Sequence, residues 1–272
     1  MALVLAKAAI AADILCAPAW GDLHRAAHMS DFNRDATGSA LTDRADMSVD
    51  AGLRTFMLGV YNKVAMGLLL SAALAFITGS YPPVRDLMFT NRGYSVIGMV
   101  VAFAPLAVIL FSSFAVKNVT PRTAGITYWT IVSLIGASLG VVVLRFTGAS
   151  VASTFLLTAT AFGGLSLVGY TTKKDLTGLG SFLIMGLIGI VGAMFINIFL
   201  QSSMMAMIVN ILGVFIFAGL IAYDTQKLKM TYYDLGGNQS AMGVATNFGA
   251  LSLYLDFINL FQFLLNLFGG RR

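Results

Sequence analysis

Between Leu176 and Tyr223 the chain runs for 48 residues without a charged side chain. As one straight helix this stretch would measure about 72 Å at 1.5 Å per residue, against a bilayer hydrocarbon core about 30 Å thick. It therefore reads as two membrane helices folded into a hairpin, with Gln201-Ser202-Ser203 as the polar turn between them. Composition agrees. The chain is 58% apolar and 11% charged, with a mean hydropathy of +0.84, whereas a soluble domain carries roughly 25% charge to cover its surface.

Five more apolar runs accompany the hairpin. The first covers about 56–79 and follows Arg54; Lys63, in its first turn, reads as a side chain reaching for the interface. Tyr94–Val116 forms the second and contains Pro105, which a membrane helix tolerates where neighbours satisfy the freed carbonyl. Thr123–Leu144 is the third and Phe146–Thr172 contains the fourth. The hairpin supplies spans five and six. Val244–Gly270, with Asp256 as its one charge, is the seventh. The pattern predicts an all-α polytopic membrane protein, with residues 52–272 as a seven-helix domain. Glycines at Gly136 and Gly140, and at Gly186, Gly189 and Gly192, read as sites of close helix packing.

The net charge of +5 lies in short connections between the apolar runs, a pattern of topology signals and not of a nucleic-acid surface. Eleven Lys and Arg residues fall on the side of the N-terminal tail and five on the other, which predicts a cytoplasmic N-terminus and an outer C-terminus. The terminal pair Arg271-Arg272 runs against that rule, so six spans plus a re-entrant last segment is the alternative topology. Residues 1–51 read as a polar, disordered tail. Within it, Met1–Ala17 resembles a secretion signal interrupted by Asp13, and Met29 offers a second plausible start, which would leave 1–28 upstream of the translated protein.

Several functions are excluded. The two histidines, His24 and His28, both precede the first span, which removes a Ser-His intramembrane protease and an HExxH metalloprotease. One cysteine, Cys16, makes no disulfide framework. The last apolar run has no lysine for a retinal Schiff base, and no phosphate-binding loop occurs. Nothing points to an enzyme or to a tightly bound cofactor.

What remains is a pair of acids. Asp224 ends the sixth run, and Asp256 lies well inside the seventh, where a carboxylate costs about 2.5–3.5 kcal/mol and needs a partner. Ser252 and Asn259 share the helical face of Asp256. On the sixth run Asn210, Gly213, Phe217 and Asp224 form the facing stripe, and two consecutive antiparallel helices bring these faces together. An interfacial role for Asp224 and a hydrogen-bonded, merely structural role for Asp256 stay open beside the functional reading. Asn197 reads as interhelical glue.

The motif Leu253-Tyr254-Leu255-Asp256-Phe257-Ile258-Asn259-Leu260-Phe261 closely resembles the last-span signature of the Bax inhibitor-1/YccA-like family. Tyr223-Asp224-Thr225-Gln226 resembles its motif at the end of span six. Further agreement comes from Phe162-Gly163-Gly164-Leu165-Ser166-Leu167, followed by Gly169-Tyr170-Thr171-Thr172-Lys173-Lys174-Asp175-Leu176, and from the stretch around Arg54–Ala65, which looks like the bacterial branch. The resemblance runs from about residue 52 to the C-terminus. It implies six helices wrapped around the last one, in a bacterial inner membrane. The implied activity is a pH-sensitive calcium leak in which Asp224 and Asp256 form a proton- and calcium-binding pair. Ser252 and Asn259 are candidate supporting oxygens, and Ca²⁺ would be bound only transiently. Two carboxylates sharing a poorly solvated site titrate as a unit. Family members also carry a basic latch on the pair; the second run here has no basic residue, and Arg122, Lys117 or Lys227 are the substitutes at hand. The rival readings are a membrane-embedded regulator that restrains a membrane-bound quality-control protease, and a proton-coupled cation carrier.

Overall fold

The computed structural model describes residues 1–16, 39–90, 93–115 and 119–271. They form ten helices: α1 (Ala2–Cys16), α2 (Ser39–Ser80), α3 (Pro82–Met88), α4 (Val96–Ala115), α5 (Pro121–Ser138), α6 (Gly140–Arg145), α7 (Gly148–Thr171), α8 (Thr177–Leu200), α9 (Ser203–Asp234) and α10 (Gln239–Phe268). A two-residue antiparallel ribbon, β1 (Phe89–Thr90) with β2 (Gly93–Tyr94), links α3 to α4. Among the described residues six helical stretches are long and apolar enough to cross a membrane: Ala51–Ser80, Pro121–Arg145, α7, α8, α9 and α10. The predicted second run appears as α4, a shorter apolar helix with Pro105 inside it.

Helix boundaries fall where local chemistry puts them. Thr120 and Thr123 form a reciprocal capping box ahead of Pro121 at the start of α5. Thr147, Ser202 and Asn238 each cap the backbone N–H three residues on, opening α7, α9 and α10. The predicted hairpin is present. Gln201 closes α8 in the left-handed conformation at φ 50°, and Asn197 Oδ1 accepts the Ser202 N–H at 3.0 Å. Asn197 thus caps its own turn instead of bridging to another helix.

α10 is the most deeply buried of these six stretches. In its membrane window 89% of residues are buried, against 17–50% in the other five stretches. It packs against α9, α2, α5, α7 and α1. Small residues permit the closest approaches. A Cβ on Gly136 would meet Ser71 Cα at 2.7 Å, and one on Gly140 would meet Thr78 Oγ1 at 2.3 Å, so this pair does pack α5–α6 onto α2. Gly186 packs on Ile216, but Gly189 and Gly192 face open space. Two ends can be told apart. At one, Gly243 approaches Pro121 and Gln226 bonds the Lys174 carbonyl. At the other, Phe146 bridges Arg271 and the Thr147 N–H donates to Gly270.

The expectation of a disordered tail over 1–51 differs from the structure at both described ends of that segment. α2 extends back to Ser39, and Ala2–Cys16 is helical and lies inside the bundle, packed on α4, α8 and α10. Leu3, Val4, Ala6 and Ile10 are buried along α1, and that apolar stripe is the surface whose burial repays the ordering of the chain. Met29 and the rest of 17–38 lie outside the described residues.

Candidate functional site: a lysine between two membrane aspartates

Asp224 sits on α9, three turns before that helix ends, on a face where Gly213, Phe217 and Asp224 recur at helical spacing. Gly213 leaves room for the Phe263 ring of α10, and Phe217 packs on the same ring with centroids 5.7 Å apart. The predicted stripes of α9 and α10 therefore do meet. On α10, Ser252, Asp256 and Asn259 are buried on one face. Asp256 and Asn259 have no exposed surface at all.

Between the two helices lies a side chain that sequence reasoning left in the tail. Lys7 of α1 is 2% exposed. Its ammonium donates to Asp224 Oδ2, to Ser252 Oγ at 2.6 Å and to the Ser252 carbonyl at 3.3 Å. It also lies 2.9 Å from Asp256 Oδ1, as an ion pair without hydrogen-bond geometry. Ser252 Oγ donates in turn to Asp224 Oδ2 at 2.6 Å. Four oxygens from α9 and α10 thus surround one nitrogen, and both carboxylates turn to the same cation. Asn259 lies one turn away. Its Nδ2 donates to the Leu3 carbonyl at 3.3 Å and the Leu255 carbonyl at 2.8 Å, so it ties α10 to α1 and does not touch the pair by a hydrogen bond. Leu3 lies against Asn259 and Lys7 against Ser252, so α1 runs antiparallel to α10.

The site has an excess of acceptors. Asp256 Oδ1 and Oδ2 and Asn259 Oδ1 are buried without a hydrogen-bond donor among the described residues. Among those residues no group of three or more His, Cys, Asp or Glu is placed to hold a metal ion; the oxygen donors here are two carboxylates, a hydroxyl, an amide and a backbone carbonyl. The substitutes for a basic latch are elsewhere. Lys227 stands over the Tyr223 ring, 5.9 Å from its centroid, Arg122 is exposed, and Lys117 lies outside the described residues. One signal could have found Lys7: it is the only basic residue in an apolar run that begins at Met1, and Leu3, Val4 and Ile10 recur around it at helical spacing.

Comparison with known proteins decides the family of this chain. Residues 53–272 match the family described as "Inhibitor of apoptosis-promoting Bax1". The chain belongs to the Bax inhibitor-1 family. It is similar to an uncharacterized protein of Caulobacter vibrioides, 66% identical over 249 residues that cover 90% of this chain and 100% of the relative. It is also similar to an uncharacterized protein of Rickettsia prowazekii, 41% identical over 88% of this chain and 99% of the relative. The inner membrane protein YbhL of Escherichia coli K12 is 42% identical over 82% of this chain and 94% of its own length. The protein is thus a membrane protein of the Bax inhibitor-1 family. α1, with Lys7, lies outside the stretch that matches the family.

Proposed function

We propose that this chain is a cation leak of a bacterial inner membrane. In this reading six spans surround the seventh, α10, the segment before α2 is cytoplasmic, calcium is the permeant ion, and Asp224 and Asp256 form a pH-controlled gate. The observation that carries it is the seat of Lys7: a buried ring of oxygens, richer in acceptors than in donors, that already holds a cation.

The charge count gives the sign of the pH response. With Lys7 protonated and both acids ionised, the cluster carries one net negative charge. One proton on the pair makes it neutral, and a neutral buried cluster is the cheaper one. Acid therefore favours the seated lysine and a closed path; loss of that proton leaves a charge that draws in a cation and weakens the closure. The charged neighbours of the pair are Lys7 on α1 and Lys227 one turn along α9. Calcium seeks six to eight oxygens. The two carboxylates supply at most four, and Ser252 Oγ and Asn259 Oδ1 could add two, which only reaches the lower limit; the Ser252 carbonyl or water would supply any further ligand. Such a site binds weakly and releases quickly, as a conduit requires, and holds no resident cofactor. Lys7 takes the place of the basic latch, and the protein performs no catalytic step.

Calcium flux into liposomes containing only this protein tests the reading. Wild-type flux should fall as pH is lowered, and Asp256→Asn should weaken calcium dependence and flatten the pH response. Flux no greater than in protein-free liposomes at every pH would overturn it. Flux that requires a proton gradient would make the protein a carrier.

A further inference from the structure

The outer wall of the bundle carries a groove of about 570 Å³ between α2 and α7. Its lips are Leu58 and Leu167, 51% and 62% exposed, so it opens sideways into the surrounding lipid. Its floor passes Gly163, where an added Cβ would meet nothing within 4 Å. One end is closed by Tyr61 and Phe162, which meet edge to face at 6.4 Å. The other end holds Arg54 and Tyr170.

Two polar features stand out in this apolar trough. Arg54 is exposed and lines the groove at its rim. It shares its edge of the bundle with Lys229, which donates to the Tyr170 carbonyl at 3.1 Å. Asp175, on the same edge, has its carboxylate bonded to Thr177. Ser166 lines the groove, is 5% exposed, and its hydroxyl has no hydrogen-bond partner, although a helical serine can bond the carbonyl four residues back. The spacing is informative. Arg54 and Tyr61 are seven residues apart, about 10 Å along the helix, and Ser166 lies about 6 Å deeper than Tyr170. A cation at the rim, a hydroxyl-bonding group one turn below and an apolar channel beyond are the order of groups in a phospholipid.

We propose that this groove holds one anionic phospholipid from the leaflet on the Arg54 side. Arg54 takes the phosphate, Ser166 turns its hydroxyl to a glycerol ester oxygen, and an acyl chain lies over Gly163 toward Tyr61 and Phe162. Arginine suits the first role because its planar fork binds phosphate oxygens in pairs. The absence of a side chain at Gly163 is what leaves the channel open.

The test is lipid retention by the purified full-length protein, read by native mass spectrometry after equilibration with equal phosphatidylglycerol and phosphatidylcholine. Wild type should retain phosphatidylglycerol preferentially. Arg54→Ala should lower that retention about fivefold, the equivalent of the roughly 1 kcal/mol that one basic residue contributes near an anionic surface. Gly163→Leu should remove bound lipid of both kinds by filling the floor. Lys173→Ala, an exposed cation on the same edge that does not line the groove, should change nothing. Equal retention of the two lipids by wild type, unchanged retention in Gly163→Leu, or the same loss in Lys173→Ala as in Arg54→Ala would each overturn the proposal.

Discussion

Replacing Lys7 by Met keeps the length and apolar stem of the side chain and removes only its charge and donors. In the wild type the ammonium serves Asp224 Oδ2, Ser252 Oγ, the Ser252 carbonyl and Asp256 Oδ1. Without it, two buried carboxylates face each other with Ser252 Oγ as the remaining donor. Removing one partner of a buried ion pair costs about 3–5 kcal/mol, and here the loss falls on the docking of α1, because Lys7 ties it to charged groups of both α9 and α10. A thiol at position 4 reports that docking, since Val4 is 2% exposed. With Cys16 replaced by Ser, Val4→Cys should label slowly in an otherwise wild-type protein. Adding Lys7→Met should speed labelling roughly hundred- to several-thousand-fold, or to the rate of a fully exposed thiol if that limit comes first. Adding Asp224→Asn and Asp256→Asn as well removes the stranded charges and should restore most of the protection, a coupling that independent sites do not show. Unchanged labelling in Lys7→Met, or no recovery in the triple variant, would refute the claim that this charge cluster holds α1 in place.

Three further outcomes follow from the packing and from one surface acid. A Cβ on Gly169 would meet the Ala222 carbonyl oxygen at 2.2 Å, so Gly169→Ala must part α7 from α9 and should lower thermal stability by about 1–3 kcal/mol; Gly189→Ala, facing open space, should change it by less than about 0.5 kcal/mol. Tyr254→Phe removes the 2.7 Å contact with Ser71 Oγ and should cost about 0.5–1.5 kcal/mol in thermal unfolding, with Ser71 still bonded to the Val132 carbonyl. Asp175 lies outside the membrane helices, and hydrogen bonds from the Thr177 hydroxyl and N–H hold its carboxyl below the usual range. Its contribution to folding is therefore present above the ordinary carboxylate pKa and is lost as pH falls through the depressed value; Thr177→Val should move that titration upward, as followed by NMR.

Much of the membrane architecture was legible because charge is so costly in lipid. The 48-residue neutral stretch forced a hairpin, and its turn lies at Gln201–Ser203 as expected. The meeting of the α9 and α10 faces was likewise legible, since consecutive helices with matched polar stripes have few other ways to hide Asp256. What the sequence concealed was the occupant of the site. Lys7 stands in a segment with the composition of a secretion signal, 217 positions before Asp224, and helical periodicity carries no information about contacts at that separation. Asn259 divides its amide in a way helical spacing does not show: Nδ2 is taken by the Leu3 and Leu255 carbonyls, while Oδ1, the supporting oxygen the sequence offered, is left without a donor among the described residues. Gly189 and Gly192 show the same limit, because small residues permit close approach without requiring it.

The turn at Gln201–Ser203 bears on how the protein is made. α8 and α9 are joined by a connection with no charged group, and its Ser202 N–H is already satisfied by Asn197. Carrying that turn across the bilayer therefore involves none of the roughly 2.5–3.5 kcal/mol that each Lys, Arg or Asp adds at mid-membrane. The two helices can enter the membrane together as a preformed hairpin, and only the residues at its feet, Lys173 and Lys174 before α8 and Lys227 and Lys229 toward the end of α9, are left to decide which way it faces. The orientation of this hairpin is thus left to four lysines at its feet, with no opposing charge at its tip.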